Sequence, residues 1–479
     1  MHGRVDGVVL SQGDCFGSAP DQPHDWFFRH SSVPYDCCAC CTERLARVCA
    51  FAAILRVNPF CSLSAAGVLP TSEHGRPVGG QPASRHRPAS CKTRTSPPAP
   101  AGAPGGTSQP AGLPAPPASP ARQPRRQLSS STMVARTLNA ARVYLGTMNF
   151  GWAQASSVCD APVAAEMLKR FAAHGGDRLD TARIYANGKG ESHVREAIER
   201  SGISDWRLGS KAAPSSDKGL SPEGIHGQFD ASRNALQMDG ALDEYFLHQP
   251  DPLNSLVDTL QTVDVLVGMN VVREVGLSNF HVDEVKRAFD ICDEYGLAFP
   301  TFYQGLYNPL NRLVEDDLLP FLREKNVRFV AYNGLAAGLL TGKHRQGTDV
   351  LAGRFKDNAN YLPRFYTDSN FEAVEKIRLA CAEADISMVA ATYAWLLNYS
   401  ALREDDGVLL GASSLEQLDA CLDACANIVD LPDNVRDAFE GAWDLTRPDS
   451  FKYWRSYSAD MPDRETRDPG AAYDAAKKK

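Results

Sequence analysis

Residues 178–188 read RLDTARIYANG, and residues 191–202 continue as ESHVREAIERSG. A short apolar run ends at Asp180, a turn rich in Asn and Gly follows, and an amphipathic segment of helical period closes the unit. This is one strand–turn–helix unit with an aspartate and a tyrosine five residues apart at the end of the strand. The alternation extends in both directions. ARVYLGTM (141–148), WRLGSKAA (206–213), LDEYFLHQ (242–249), REVGLSNF (273–280), FPTFYQGLY (299–307), VRFVAYNG (327–334) and GVLLGAS (407–413) are further strand candidates. PVAAEMLKRFAAHG (162–175), HVDEVKRAFDICDEYG (281–296) and VEDDLLPFLREKN (314–326) are helix candidates between them. Period alone does not separate a buried strand from a buried helix segment, but the contrast in length and the Gly/Asp/Asn punctuation favour alternation. Eight βα units in roughly 300 residues are the count and size of an α/β protein of the (β/α)8 TIM-barrel type. A doubly wound sheet is the rival, and it usually carries GxGxxG at its first strand–helix turn. Neither that motif nor a P-loop occurs.

The chain has 479 residues, 43% hydrophobic and 23% charged, which is ordinary for a globular protein. A net charge of -8 argues against nucleic acid as the main partner. No stretch approaches the ~20 apolar residues of a membrane span, and the run Val48–Leu55 stops at Arg56. The opening MHGRVDGVVLSQGD lacks the basic start and apolar core of a secretory signal. A cytoplasmic protein without a membrane partner is therefore expected. Composition shifts along the chain: eight of the 13 cysteines precede Met133, and His74–Thr132 contains no acidic residue. A segment so rich in Pro, Ala, Gly, Ser and Arg buries too little apolar surface to offset its ordering entropy. Residues 1–132 are accordingly expected to be a disordered extension, 133–458 the barrel, and 459–479 a disordered tail. The cluster CCACC at Cys37–Cys41 lacks a second paired-cysteine knuckle, so no metal site is expected there.

In a barrel the chemistry gathers at the C-terminal ends of the strands. Asp180 closes the second candidate, with Tyr185 in the next turn; Lys211 closes the third and His248 the fourth. Ser278-Asn279, Gln304, Tyr332-Asn333 and Gly411 close the remainder. Singly, each has a plain reading: Asp180 as a helix cap, Tyr185 as a packing residue, His248 as a satisfied rim histidine. Together they form a constellation on one face. A tyrosine with a pKa near ~10 becomes a better general acid when an ammonium stabilises its phenolate, so Lys211 is expected to lower the pKa of Tyr185. Asp180 would balance and orient Lys211, and His248 would hydrogen-bond a substrate carbonyl. The set contains no activated nucleophile. It suits proton donation to a carbonyl oxygen while a hydride arrives from elsewhere.

The stretches DTARIYANG (180–188), KAAP (211–214), LHQPD (247–251), GLSNF (276–280), YQGLYN (303–308), AYNGLAAGLLTGK (331–343) and LLGASSLEQL (409–418) together resemble the aldo-keto reductase superfamily. They are most similar to its aflatoxin-aldehyde and succinic-semialdehyde reductase branch, over Ala141 to Tyr457. The resemblance implies reduction of aldehydes, and of some ketones, with NADPH as cofactor and Asp180, Tyr185, Lys211 and His248 as the catalytic tetrad. It also implies cofactor contacts. Ser278, Asn279 and Gln304 would hold the nicotinamide amide. Asn333, Gly334, Leu335, Leu339, Gly342 and Lys343 would lie along the pyrophosphate, with Arg354 near the phosphates. Ser413, Ser414 and Gln417 would hold the adenosine end. Two capping-box patterns, Ser413-x-x-Glu416 and Ser414-x-x-Gln417, independently mark a helix start, which is an anion site suited to a 2′-phosphate. Tyr361, Arg364 and Arg455 are the implied substrate contacts beside His248, and paired arginines suit a carboxylate.

Two departures from the family pattern stand out. NGLAAG replaces Asn-Pro-Leu-Ala-Gly-Gly, and Cys421 replaces an asparagine, which is expected to weaken adenine contacts. Two other readings stay open: an NADPH-binding redox-sensing subunit with slow turnover, and an NADP-linked alcohol dehydrogenase, since the tetrad serves both directions. The physiological substrate and a homodimeric state are also open.

Overall fold

The computed structural model describes Asn139 and residues 142–153, 155–348 and 353–471. The expected extension 1–132, its Cys37–Cys41 cluster and the last eight residues lie outside the described residues. Eight strands follow in order: β1 (Val143–Gly146), β2 (Arg178–Asp180), β3 (Arg207–Ala212), β4 (Leu242–Leu247), β5 (Val272–Ser278), β6 (Phe302–Leu306), β7 (Arg328–Tyr332) and β8 (Gly407–Gly411). Each pairs in parallel with the next, and β8 returns to β1 to close the barrel. The expected (β/α)8 architecture is the one found.

Local signals start and stop the outer helices. Asp160 caps α1 (Ala161–Ala173) by accepting from the Val163 amide. Ser221 and Pro222 open α3 (Pro222–Leu236), and Ser255 caps α4 (Leu256–Gly268). α2 (Gly190–Ser201) and α5 (Val282–Tyr295) end on Gly202 and Gly296, both left-handed, where glycine carries no Cβ penalty. Side-chain caps of this kind contribute ~1 kcal/mol each. Beyond α6 (Leu318–Glu324), the β7–β8 connection is long and holds α7 (Leu362–Phe365), α8 (Asp368–Glu383) and α9 (Met388–Ala394). α10 (Leu415–Ala426) and α11 (Asp433–Thr446) complete the shell.

Inside the barrel, inward residues of β1, β4, β6 and β7 form a plug of Tyr144, Phe246, Phe302 and Val330. A Cβ on Gly276 would fall 2.3 Å from the Phe246 ring, so glycine is what admits that ring. Toward the strands' N-terminal ends, Glu244 accepts from Tyr144 and Arg178, each at 3.1 Å. Toward their C-terminal ends, the Lys211 ammonium lies 5.8 Å from the Phe246 ring. The plug is thus the floor of whatever site the barrel mouth carries.

Residues 459–471, expected to belong to a disordered tail, are instead tied to the barrel. The Ala459 amide donates to the carbonyls of Asp251 and Asn254. Asp460 accepts from Arg287 and Ser255 at 2.7 Å and from the Leu256 amide at 2.8 Å, and Arg467 pairs with Asp283 at 2.8 Å. A charge-rich segment looks solvated when its partners, here on α4 and α5, are distant in sequence.

Candidate active site

β2 and β3 pair in a register that sets Asp180 opposite Gly209. Side chains alternate along a strand, so Lys211 projects to the same side as Gly209, into the mouth. The Lys211 ammonium is fully buried and donates to both Asp180 oxygens at 2.6 and 2.7 Å. It also reaches the Thr181 carbonyl at 2.8 Å and the Tyr185 hydroxyl at 3.4 Å. Asp180 is fixed from two further sides: Gln304 Nε2 donates to Oδ2 at 2.8 Å, and the Thr147 hydroxyl and amide both reach the Asp180 carbonyl at 2.9 Å. His248, directly after β4, stands edge-on to Tyr185 with ring centroids 6.0 Å apart. Its Nδ1 is buried without a hydrogen-bond partner. The four side chains singled out in the sequence therefore meet at one end of the barrel.

Their electrostatics follow from burial. Burial alone would push the Lys211 ammonium down, but the Asp180 carboxylate reverses this and holds it above its usual value. Burial raises Tyr185 above its usual value, and Lys211 offsets only part of the rise. Lys211 acts on the tyrosine in the expected downward direction, but desolvation of the phenolate outweighs the nearby ammonium. Burial, and then the charges of Lys211 and Arg455, drive His248 well below its usual range. At neutral pH the site therefore holds a protonated phenol, an ammonium and a neutral imidazole.

A half-buried histidine held neutral weakens the fold in acid. Below about pH 6.5 the unfolded chain binds a proton that the folded chain refuses, so stability falls by up to ~1.4 kcal/mol per pH unit. In urea melts, His248→Gln is expected to flatten the loss of stability between about pH 6.5 and 5. An unchanged slope would mean that His248 titrates in the fold as it does in water.

A second set of residues lies along the β5–β8 side of the mouth. Ser278 ends β5, and Asn279 follows at φ 61°. Asn279 Nδ2 donates to the His248 carbonyl at 2.8 Å and to Ser278 Oγ at 2.9 Å, and its Oδ1 accepts from Tyr332 at 2.7 Å. Asn333 Oδ1 accepts from Arg354 at 3.2 Å, and Asn149 Oδ1 accepts from the same guanidinium at 3.4 Å. The turn after β7 folds back through Ala336, Ala337, Gly338 and Gly342, all at positive φ. Two left-handed alanines store ~1–2 kcal/mol each. A Cβ on Gly334 would sit 3.0 Å from Leu396 Cδ1, so the glycine in place of the family's proline is closely packed. Leu335 is half-buried against the core, and Lys343 is exposed beyond Gly342. Leu339 is fully buried in the core.

At the β8 end, α10 uses the second of the two capping patterns. Ser414 accepts from the Gln417 amide at 3.3 Å, and Gln417 Oε1 takes the Ser413 amide at 3.0 Å. Ser413 Oγ also meets Ser156 Oγ. Cys421 is buried beside Tyr393, so its thiol packs into the shell between α9 and α10.

The profile described as "Aldo/keto reductase family" matches residues 142–444. The chain belongs to the aldo/keto reductase family. Over 325 residues it is 35% identical to aflatoxin B1 aldehyde reductase member 2 of Rattus norvegicus, covering 65% of this chain and 87% of that protein. Over 310 residues it is 36% identical to aldo-keto reductase family 7 member A3 of Homo sapiens, covering 62% and 93%. Among solved structures, the glycerol dehydrogenase AKR11B4 from Gluconobacter oxydans matches with a TM-score of 0.52 at 22% identity. That match covers 66% of this chain and 97% of the other, and speaks for the fold. As a member of this family the protein is an oxidoreductase.

In this aldo/keto reductase the substrate candidates also reach the mouth. The Arg455 amide donates to the Asn279 carbonyl at 2.9 Å, and the charge of Arg455 acts on His248 and Tyr332. The charge of Arg364 acts on Tyr332 as well; its guanidinium lies 5.4 Å from the Phe451 ring and 3.5 Å from the Ala471 carbonyl. Tyr361 stacks on Phe365 at 5.9 Å and lies under the Arg354 guanidinium at 5.4 Å. Thr147, Asn149, Trp152 and Ser156 were missed by sequence reasoning, and all follow β1. Polar Thr147 and Asn149 directly after VYLG were the available signal, of the same kind that marked the other strand ends. Among the described residues no helix is long and apolar enough to cross a membrane, and no cluster of His, Cys, Asp and Glu could hold a metal ion.

Proposed function

We propose that this enzyme reduces aldehydes to alcohols, with NADPH as cofactor and Tyr185 as proton donor. The observation that carries the reading is the buried Lys211 ammonium, bonded to both oxygens of Asp180 and 3.4 Å from the Tyr185 hydroxyl. When bound, NADPH supplies the hydride. The chain's own residues do the rest. Tyr185 carries its proton to the carbonyl oxygen, and Lys211 stabilises the phenolate left behind. Asp180 keeps Lys211 charged in a site that would otherwise strip its proton. His248 stays neutral and orients the carbonyl by a hydrogen bond, while the Phe246 layer excludes water from below. The groups around Arg354, with the N-terminus of α10 at Ser413–Gln417, suit the phosphates of the cofactor.

The protonation of Tyr185 suits the reductive direction. Oxidation of an alcohol needs the phenolate as base, and a raised pKa leaves little phenolate at neutral pH. Reduction needs the phenol, which is the form present. The relative named as an aldehyde reductase agrees with this direction.

The arginines refine the substrate. Arg455 and Arg364 favour an aldehyde with a carboxylate at its far end, held by charge-assisted hydrogen bonds worth ~1.5–3 kcal/mol, roughly 10- to 100-fold in affinity. Semialdehydes are expected to show lower KM than neutral aldehydes of similar length. Arg455→Ala should raise KM for the charged substrate and leave the neutral one unchanged, with kcat little altered for either. Equal losses on both substrates would show that Arg455 organises the mouth and reads no carboxylate.

A further inference from the structure

We infer that Arg183 and Glu191 form a positioning clamp that sets the Tyr185 hydroxyl against Lys211, an inference that rests on Tyr185 being the proton donor. The turn that carries Tyr185 is held in an unfavourable backbone. Ala186, Asn187 and Gly188, the three residues after Tyr185, have φ values of 48°, 56° and 84°. A run of left-handed residues persists only where its surroundings over-determine it. The backbone of the turn makes local bonds: the Tyr185 amide reaches the Ala182 carbonyl, and the Lys189 amide the carbonyls of Ala186 and Tyr185.

Arg183 adds a tie from outside the turn. Its guanidinium forks, one nitrogen donating to the Gly188 carbonyl at 2.7 Å and another pairing with Glu191. The two ends of the turn, before and after Tyr185, are thus closed on one side chain. Glu191 is fully buried, and its second oxygen accepts from Ser210 Oγ at 2.6 Å. Ser210 directly precedes Lys211 on β3. Two linked polar contacts therefore reference the tyrosine turn to the strand that bears the ammonium. Packing agrees, since a Cβ on Gly190 would lie 2.7 Å from the Cβ of Tyr185. The Lys211–Tyr185 contact of 3.4 Å is at the long end for a hydrogen bond, so a small displacement of the turn breaks it. Arg183 and Glu191 touch none of the reacting groups and act through Tyr185.

The test is a double-mutant cycle on the full chain. Arg183→Ala leaves Glu191 buried and unpaired, so the change made is Arg183→Ala with Glu191→Gln, which removes both charges. It is expected to lower kcat by ~10- to 100-fold, as misplacement of a reacting group does, with NADPH affinity held within about twofold. In a Tyr185→Phe background the same change should leave the residual single-turnover rate within about twofold, because the clamp then has nothing to position. Unchanged kcat in the parent, or an equal loss in both backgrounds, overturns the inference. Full turnover by Tyr185→Phe alone would instead overturn the assignment of the proton donor. Arg183→Lys, which keeps the charge opposite Glu191 without the fork to Gly188, covers a double variant that melts early. It should lose severalfold in kcat at unchanged NADPH affinity, and parental kcat there also overturns the clamp.

Discussion

Tyr185→Phe is expected to lower kcat by ~10²–10⁴ while NADPH affinity stays within about twofold. The substitution removes one hydroxyl and keeps the ring, so the edge-on contact with His248 and the packing over Gly190 survive. What disappears is the proton. The raised pKa of Tyr185 fixes the pH dependence of the parent enzyme as well. Reduction consumes the protonated form, so its rate should hold level through neutral pH and fall only as pH rises through the tyrosine pKa, above its ordinary ~10. Oxidation of the product alcohol consumes the phenolate and should quicken over the same rise. Steady-state rates in both directions across pH check this. A reduction rate that falls between about pH 6 and 8 would assign the proton to another group.

Lys211→Met is expected to damage both stability and turnover. Removing one partner of a buried ion pair costs ~3–5 kcal/mol, because the Asp180 carboxylate is left buried with Gln304 as its side-chain donor. Both influences of Lys211 on Tyr185, its charge and its hydrogen bond, act to lower the tyrosine pKa. Without them the phenol is a weaker acid, and kcat should fall by ~10²-fold or more. The double variant Lys211→Met with Asp180→Asn separates the two effects. It should recover much of the melting temperature and none of the turnover. Recovered turnover would mean that Lys211 serves to neutralise Asp180 and plays no part in the chemistry.

The barrel was legible because its parallel strands are buried on both faces and so read as short apolar runs, with caps such as Asp160, Ser255 and Ser414 placed before the helices between them. The polar residues that meet in the mouth were legible for a related reason, since each stands where its strand stops. Other features depend on contacts between segments far apart in the chain. The direction of the Tyr185 shift is set by burial, which no local spacing reveals. Asp460 and Arg467 looked like tail charges until α4 and α5 supplied their partners. Cys421 is buried beside Tyr393, a contact that the sequence around it does not announce. Arg183 and Glu191 were in view in RLDTARIYANGKGE, but their bond depends on the turn between them, and that turn leaves alanine and asparagine in a conformation their sequence does not announce.

The most direct test of an NADPH-driven carbonyl reduction follows the hydride itself. The full chain is incubated with an aldehyde and NADPH carrying deuterium at the transferable position of the nicotinamide, and the alcohol formed is weighed by mass spectrometry. Transfer within this site predicts an alcohol bearing deuterium on its carbinol carbon, in amounts matching the NADPH consumed, with formation nearly abolished in Tyr185→Phe. Alcohol without deuterium, or NADPH bound tightly with no alcohol formed from any aldehyde, would contradict it.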